Sequence, residues 1–463
     1  MSEPRLRATL ETLRGDPDAL IQIIVQQAEV IARLTAQVEA LEARVRDLDE
    51  QNRGLRARVA TLERTTARAA APFRIDPAKR QTTRGRRGRP PGRPGTARPR
   101  PTHVDVVLEA PLPHCPHCAH PVADVRPRVQ YIEEWPPIRP HVTQVTTYEG
   151  YCATCGRRVR STHPVQVSGA TGAAGVHLGA RALALAALLN KHYGLTMRKT
   201  CAVLHVLGGM RLTPGGLTQA LARVATRVRA SYDALVAQIR AGPLVHSDET
   251  SWWVGGPGYW LWVFTRPDLT VYRVAPGRGR QVVEQTLGPT YPGVVVSDCL
   301  ATYDGLASPQ QKCYAHHLRA VRAVLEQGPS AYADQWGRLL RAAMARTPAA
   351  PDARTRHLWE IAVDEYLAAP RRAPAEEALR RRLAKQRDHL FTFLDYPDVP
   401  ATNNLAERQL RPAVIARKLS CGNKTLAGAY TWETLASLAA TCAQRGESFL
   451  EFLVPRLRLA EIR

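Results

Sequence analysis

Residues 243–277 read PLVHSDETSWWVGGPGYWLWVFTRPDLTVYRVAPG, and this segment has the clearest strand pattern in the chain. Short runs of β-branched and aromatic residues alternate there with turns that contain Gly and Pro, as consecutive strands do. A helix over 281–287 and a buried, Val-rich strand over 293–298 should follow. Before them we expect three antiparallel strands, over 244–248, 259–264 and 270–274.

The rest of the C-terminal half has a helical pattern. Residues 314 to 392 contain no strong strand, and another helix follows Thr402. Three antiparallel strands, a helix, a strand and later helices match an RNase H-like α/β core. We therefore expect a first core part at 243–313, a helical insertion at 314–398, and a C-terminal core part at 399–463.

Three acids are candidates for catalysis. Asp248 and Asp298 end two predicted strands, and Glu407 lies near a predicted helix start where Thr402 is the candidate N-cap. Two Mg²⁺ ions need carboxylates from separate elements, so Asp248 would bridge them and the other two acids would flank. Glu249 should point to the opposite face of its strand. Taken singly, an acid at a strand end is more often structural or solvated than catalytic.

Residues 18–63 carry a heptad repeat. β-Branched residues at most a positions and Leu at most d positions favour a parallel two-stranded coiled coil, in which Asn52 would fix the register. An amphipathic helix packed on its own protein is the alternative, but the narrow 3–4 spacing favours a dimer. The a positions are Ile24, Ile31, Val38, Val45, Asn52 and Val59, and the d positions are Leu20, Gln27, Leu34, Leu41, Leu48, Leu55 and Leu62.

A basic linker is predicted at 64–100. It holds twelve Arg and Lys residues and one acid, Asp76, and its Pro and Gly residues oppose regular structure. Arg87 and Arg89, in the sequence Arg-Gly-Arg-Pro, resemble an AT-hook core that could enter a narrow minor groove. A disordered tether that contacts phosphates without sequence preference is the simpler interpretation, because four residues match easily in such a composition.

Residues 101–165 surround two CxxC pairs, which predict a zinc site. Each CxxC presents two thiolates from one tight turn, and Zn²⁺ takes four such ligands in a tetrahedron. The spacer contains strand-like segments at 129–132 and 142–147, so we expect an elongated ribbon-like module. Unrelated buried or redox thiols are the alternative. The four predicted ligands are Cys115, Cys118, Cys152 and Cys155.

The charge of the chain points to a polyanionic partner. The 463 residues carry 64 basic and 41 acidic side chains, a net charge of +23, for which nucleic acid is the default partner. Residues 175–240 have a helical pattern and would either form a DNA-binding unit or pack on the next domain. The N-terminus lacks a signal-peptide pattern, and we expect a cytoplasmic protein without a membrane span.

Several motifs together resemble the transposases of the insertion-sequence 66 family. These motifs are His246-Ser-Asp248-Glu-Thr, Ser297-Asp298 with Tyr303, Cys313-Tyr-Ala-His316 with Arg319, and Thr402-Asn-Asn-Leu-Ala-Glu407-Arg408 with Arg411-Pro412. They occur in the order found in the family. The upstream layout of coiled coil, basic Pro-rich linker and paired CxxC is also similar. The resemblance spans nearly the whole chain, and the Thr-Asn-Asn…Glu-Arg block is its most specific part.

The resemblance implies a DDE transposase whose triad, Asp248, Asp298 and Glu407, binds two Mg²⁺ ions. Cys313 and His316 would support the active site, and the four cysteines of the CxxC pairs would bind Zn²⁺. Apart from the resemblance, the position of four basic residues near Glu407 favours contact with DNA phosphates, and a solvated helix face is the alternative; these residues are Arg408, Arg411, Arg417 and Lys418.

The partners implied by this interpretation are the element's ends, the target DNA, a second copy of the chain, and accessory transposition proteins in a bacterial, nucleoid-associated setting. A catalytically inactive zinc-dependent regulator is the first alternative. The second is another RNase H-like nuclease, such as a repair endonuclease that cuts DNA without joining it.

Overall fold

The structure is a computed structural model that describes residues 16–69, 98–136, 138–168, 175–345 and 353–458. The chain divides into two compact units, Met1–Ile132 and Glu133–Arg463, which we describe separately. The predicted AT-hook residues Arg87 and Arg89 lie outside the described residues.

The N-terminal unit contains one long helix, α1 (Pro17–Ala69), which continues six residues beyond the predicted end of the coiled coil. Its heptad side chains face solvent: Ile24, Leu34 and Leu41 are all more than half exposed. An 18-residue window of this helix reaches a mean hydropathy of 1.2, enough to cross a membrane by length and composition alone. From Val30 onward the apolar side chains form a narrow stripe, as expected for a helix that pairs with another helix, whereas Ile21, Ile23, Ile24 and Val25 surround the first turns.

A short hairpin, β1 (Glu149–Cys152) and β2 (Arg157–Arg160), begins the described secondary structure of the second unit. The predicted strands at 129–132 and 142–147 are wrong, because neither segment pairs with another strand among the described residues. Val129 and Val142 are largely exposed there. β-Propensity identifies residues that suit a sheet but does not supply a pairing partner, and the elongated ribbon is therefore replaced by this hairpin.

A five-stranded mixed sheet forms the centre of the second unit, which confirms the predicted α/β class. The strand order is β5-β4-β3-β6-β7, with β3–β5 antiparallel and β6 and β7 parallel to β3. The three predicted antiparallel strands and the later buried strand are all present, and the short polar strand β7 was not predicted. The strands are β3 (Leu244–Trp252), β4 (Tyr259–Arg266), β5 (Leu269–Pro276), β6 (Val294–Ser297) and β7 (Gln310–Lys312).

Helices before the sheet cover one of its faces. Their apolar residues join Val245, Trp262 and Phe264 of the sheet in one buried cluster, so this region does pack on the core. A π-helical turn, Leu188–His192, follows the first of these helices. The helices are α2 (Ala180–Ala187), α3 (Met197–Gly208), α4 (Pro214–Arg227) and α5 (Arg229–Arg240), and α6 (Arg280–Leu287) follows the first three strands.

The region between β7 and residue 398 is helical, as predicted. It has its own buried cluster around Trp336 and Leu340, which also includes Val294 and Val296 of β6. The helices are α7 (Tyr314–Leu325), α8 (Ala331–Ala345), α9 (Ala353–Ala368), α10 (Pro374–Lys385) and α11 (Thr392–Asp395).

Three C-terminal helices complete the unit: α12 (Asn404–Ser420), α13 (Leu426–Arg445) and α14 (Phe449–Leu457). Helix α12 packs on β3 and β4, and α13 packs on β5. The predicted N-cap Thr402 is wrong, because the N-cap of α12 is Asn403 and its side chain does not cap the helix. Asn403 is instead turned toward β3.

Candidate active site

Asp248 lies on β3, and Asp298 directly follows the neighbouring parallel strand β6. β3 and β6 pair with Leu244 opposite Val294 and His246 opposite Val296, so continuing that register by two residues brings Asp298 level with Asp248. Asp248 Oδ1 accepts a hydrogen bond of 2.8 Å from the backbone N–H of Glu249, and Asp298 Oδ1 accepts one of 2.9 Å from that of Leu300. These contacts orient one oxygen of each carboxylate.

Glu407 lies in the first turn of α12, and Asn403 fixes that end of the helix to β3. The Asn403 amide nitrogen donates to the Ser247 carbonyl oxygen at 2.8 Å. Its Oδ1 therefore accepts from His246 Nδ1, which lies 3.1 Å away. Burial lowers the pKa of His246 to about 4, so the imidazole is neutral and can serve as this donor. Asn403 thus links the Glu407 helix to the strand that carries Asp248.

Cys313 connects the other two acid-bearing elements. Its backbone N–H donates to the carbonyl oxygen of Ser297, the residue before Asp298, at 2.9 Å. Its Sγ accepts from the Asn403 backbone N–H at 3.2 Å. Burial raises the pKa of the Cys313 thiol and so favours its neutral form. Cys313 therefore ties the end of β6 to the start of α12.

His316 and Arg319 of α7 surround the Glu407 carboxylate. Glu407 Oε1 lies 3.2 Å from Arg319 Nη2 and 3.8 Å from His316 Nδ1. The ligating atoms of Cys313, His316 and Glu407 all lie within 4.8 Å of one another. The three possible ligand atoms are thus a thiol sulfur, an imidazole nitrogen and an oxygen of Glu407, the carboxylate that was predicted to hold Mg²⁺.

The three candidate acids influence one another electrostatically. Burial raises the pKa of Asp248 to about 7, and the nearby charges of Glu249, Asp298 and Glu407 add to the increase. The hydrogen bond from the Glu249 backbone opposes it. Asp248, Asp298 and Glu407 therefore converge in space although each belongs to a different element. A carboxylate with a raised pKa among other carboxylates is a suitable ligand for a divalent cation.

Glu249 belongs to a separate network beside the acids. Its Oε1 accepts from Nε and Nη2 of Arg278 at 2.8 and 2.5 Å, and its side chain is 1% exposed. The Tyr303 hydroxyl lies 3.0 Å from Ser247 Oγ and 3.3 Å from Glu249 Oε2. Arg278 also stacks on Trp260, with 4.5 Å between the guanidinium carbon and the ring centre. This network fixes β3 to the segment that follows Asp298.

Trp252 and Trp253 have different environments. Trp252 is buried, donates from Nε1 to Asn423 Oδ1 at 2.8 Å and packs against Trp432, with 4.8 Å between the ring centres. It is a core aromatic. Trp253 is 40% exposed.

The arginines of α12 divide into two groups. Arg417 donates to Thr250 Oγ1 at 3.0 Å and to Ser251, so it fastens α12 to β3 and is not placed as a phosphate contact. Arg408 and Arg411 are exposed on the same helix as Glu407.

The CxxC pairs form two tight turns, one in each unit. In the first turn the Ala119 N–H donates to the Cys115 carbonyl at 2.9 Å, and in the second the Gly156 N–H donates to that of Cys152, also at 2.9 Å. Hydrogen bonds from His117 and Cys118 lower the pKa of the Cys115 thiol. Those from Cys155 and Thr154 lower that of Cys152. Each pair therefore favours the thiolate form that zinc binds.

Sequence reasoning did not assign roles to Asn403 or Arg319, although both stand within recognised motifs. Their partners are 157 and 88 residues away in sequence, so local pattern could not reveal the contacts. The predicted members of the site did converge: Asp248 with Asp298 and Glu407, and Cys313 with His316.

Comparison with known proteins places the chain in a family. A family model described as "Transposase IS66 family" matches residues 175–431, just over half of the chain and including Asp248, Asp298 and Glu407. One relative, "Uncharacterized protein y4qI" of Sinorhizobium fredii (strain NBRC 101917 / NGR234), is 25% identical, with 61% of this chain and 59% of that protein covered. A second, "Uncharacterized protein y4jO" of the same strain, is 36% identical over 83 residues, covering 18% of this chain and 26% of that protein.

The chain thus spans less than two thirds of the length of either curated relative. The family match itself covers the sheet, the helices before it and the segment that carries Glu407. On this match, the chain belongs to the IS66 family of transposases.

Proposed function

We propose that this protein is a DDE transposase that cuts and joins the ends of a mobile insertion sequence. The convergence of Asp248, Asp298 and Glu407 from β3, β6 and α12 is the observation that carries the proposal. The strand order, with three antiparallel strands followed by two parallel ones, supports an RNase H-like core. Family membership supports DNA as the partner.

The donor set suits Mg²⁺. Asp248, Asp298 and Glu407 offer hard carboxylate oxygens from separate elements, which is how proteins hold Mg²⁺ beside a phosphate. The raised pKa of Asp248 supports this assignment, because a bound cation would relieve the repulsion among the acids. Two bound Mg²⁺ ions would supply Lewis-acid activation of the attacking oxygen and charge stabilisation of the leaving oxygen.

The chain's own residues would position the reacting groups. Asp248 would lie between the other two acids, and Asn403 and Cys313 would keep the acid-bearing elements in register. Arg408 and Arg411 are exposed on the helix that carries Glu407 and would contact phosphates there.

Two successive displacements at phosphorus account for transposition. In the first, a water oxygen bonds to the phosphorus at the element's end and the P–O3′ bond breaks, which leaves a free 3′-hydroxyl. In the second, that 3′-oxygen bonds to a target phosphorus while the target's own P–O3′ bond breaks. The number of phosphodiester bonds is unchanged in the second step, so strand joining needs no external energy source.

We further propose that Cys115, Cys118, Cys152 and Cys155 bind one Zn²⁺ ion. The thiol pKa values that the turns lower at Cys115 and Cys152 support ligation. Zinc bound in this way would order a small module between the basic linker and the helices that precede the sheet.

Pairing of α1 with a second copy of the chain would bring two element ends into one complex. The exposed apolar stripe of α1 between Val30 and Leu55 supports a partner helix rather than lipid, because there it covers one side of the helix only. We therefore propose a cytoplasmic, nucleoid-associated homodimer or larger assembly that acts with accessory transposition proteins and without a membrane.

Cleavage and joining assays test the proposal. Full-length protein is incubated with Mg²⁺ and DNA that carries the element's ends, and wild type is compared with Asp298→Asn. We expect wild type to cut and join, and the variant to bind DNA and do neither. Cutting without joining would favour a nuclease. Binding without cutting, even with the neighbouring gene products added, would favour an inactive zinc-dependent regulator derived from a transposase.

A further inference from the structure

Helices α3 and α4 form a helix–turn–helix. Gly209 is the C-cap of α3 and has the left-handed conformation, with φ of 64°, and five residues, 209–213, connect the helices. Thr213 begins α4 by accepting a 3.1 Å hydrogen bond at Oγ1 from the Gly216 N–H, and Pro214 occupies the first helical turn. A short turn that contains Gly joins the two helices of this motif in DNA-binding proteins.

The buried side of this motif is fixed on the catalytic unit. Leu204 of α3 and Leu217 and Leu221 of α4 are buried in the large cluster that also contains Leu435 of α13 and Leu453 of α14. Helix α4 packs against α13 and α14. The motif therefore cannot rotate freely, and its outer face has a set orientation relative to the rest of its unit.

The outer face of α4 is polar and basic, and only the last turn of α3 exposes large apolar side chains within the motif, Val206 and Leu207. Thr218, Gln219 and Arg223 follow one another along the exposed side of α4. Arg198 and Lys199 in the first turn of α3, and Arg211 in the connecting turn, are exposed as well. The sequence contains no Asp or Glu between Glu149 and Asp233, so no carboxylate of this region opposes a polyanion.

We propose that this helix–turn–helix docks on duplex DNA with α4 in the major groove, where Gln219 and Arg223 read base edges. The major groove admits one α-helix, and α4 is 14 residues long. Gln can pair with both N6 and N7 of adenine, and Arg with O6 and N7 of guanine. Arg198, Lys199 and Arg211 would grip the phosphates beside the groove.

This inference rests on the proposed function only in that the partner is DNA. Its test therefore requires no cleavage and uses no added Mg²⁺. Full-length wild-type protein selects from a library of 30-base-pair duplexes with a random centre, and the enriched sequence is determined. Affinities are then measured for one enriched duplex and for a scrambled duplex of the same composition.

Gln219→Ala and Arg223→Lys are the informative variants, since the second retains the charge. Each should weaken binding to the enriched duplex by between about 5- and 150-fold and change binding to the scrambled duplex by less than about threefold. Gln335→Ala and Arg341→Ala remove exposed side chains of the same types from α8 and should alter neither affinity. Unchanged melting temperatures would exclude misfolding as the cause.

Three results would overturn the inference: no enriched sequence, equal losses on both duplexes, or no loss in either α4 variant. A chain that meets the binding expectations but never cuts DNA would refute the proposed chemistry and leave the docking surface in place. If the wild-type protein cuts and joins DNA and both α4 variants bind the enriched duplex as tightly as wild type, the docking surface would be refuted and the proposed chemistry would stand.

Discussion

Oε1 of Glu407 lies 3.2 Å from Nη2 of Arg319, so an arginine from α7 is paired with the acid that α12 brings to the site. The same oxygen lies 3.8 Å from Nδ1 of His316. A divalent cation that approaches Glu407 must either share this oxygen with the guanidinium or displace it. The Arg319 side chain is 59% exposed, and exposed ion pairs are worth about 0.2–1 kcal/mol, so displacement costs little.

Removal of Arg319 should therefore strengthen cation binding. We expect Arg319→Ala to bind Mn²⁺ up to about fivefold more tightly than wild type in the absence of DNA, the ratio that 1 kcal/mol corresponds to. Titration with Mn²⁺ followed by electron paramagnetic resonance measures this affinity. The Asp298→Asn variant measures the Mn²⁺ that binds outside the proposed site. Arg338→Ala, which breaks an exposed pair with Asp334 on α8, is the matched control. Weaker Mn²⁺ binding by Arg319→Ala would mean that Arg319 positions Glu407 for the ion.

Asn403→Ala should lower the free energy of unfolding far more than Thr402→Ala does. The Asn403 side chain bonds both His246 and the Ser247 carbonyl, and its loss leaves two buried polar groups without that partner. Each such group costs about 1–3 kcal/mol, so we expect a loss of about 2–6 kcal/mol in urea unfolding. Thr402 does not cap α12, and its replacement should cost less than about 0.5 kcal/mol. Similar losses in the two variants would contradict this contrast.

These two residues also show what sequence could predict. The strands and Asp248 and Asp298 were predictable because alternation and buried Val runs are local signals. The identity of the α12 N-cap depended on a contact between Asn403 and β3, which no local signal contains. Thr402 has the right side chain for a cap, but tertiary hydrogen bonding decided the position of the helix start.

Strand β7 was missed for a related physical reason. Gln310, Gln311 and Lys312 have a polar composition but are buried. Hydrogen bonds compensate the burial of Gln311 and Lys312, whereas the side-chain amide of Gln310 has no partner among the described residues. Lys312 Nζ donates to Ser297 Oγ at 3.2 Å, and Gln311 Oε1 accepts from the Phe393 N–H at 2.8 Å. The segment at 129–132, between the two CxxC pairs, shows the opposite: its residues suit a strand, but it pairs with no other strand among the described residues.

The raised pKa of Asp248 predicts that Asp248→Asn increases the free energy of unfolding by an amount that depends on pH. The carboxyl has a pKa of about 7 in the folded chain against 3.8 as a model compound, so folding binds a proton between those values. Wild-type stability should therefore fall, relative to the variant, as pH rises through 7. We expect Asp248→Asn to be more stable by on the order of 3 kcal/mol at pH 8 and by little at pH 4.

Urea unfolding without added divalent cation measures that difference. Addition of Mg²⁺ at pH 8 should then stabilise wild type and leave Asp248→Asn nearly unchanged, because a ligand stabilises the state that binds it. A stability difference that stays constant between pH 4 and pH 8 would show that Asp248 is not the group that titrates.

Arg278→Ala should leave the buried Glu249 carboxylate without its cation. Removal of one partner from a buried pair costs about 3–5 kcal/mol, and we expect about 2–3 kcal/mol here because Arg278 is 41% exposed. Burial raises the pKa of Glu249, so the penalty should shrink as pH falls and the carboxyl takes up a proton. Arg278→Ala combined with Glu249→Gln should recover at least half of the loss. An equal penalty at pH 5 and pH 8 would contradict this explanation.

Leu41→Lys tests pairing through α1. Leu41 stands at a d position and is 62% exposed in the single chain, so the substitution should change the stability of a monomer by no more than about 0.5 kcal/mol. In a parallel coiled coil it would bury two ammonium groups against each other, which strongly favours dissociation. We therefore expect light scattering during size-exclusion chromatography to show a dimer or larger species for wild type and a smaller one for Leu41→Lys. Ala43→Lys adds the same charge at the outward f position and should leave assembly unchanged. A monomeric wild type, or a Leu41→Lys variant that still assembles, would show that α1 does not pair the chains.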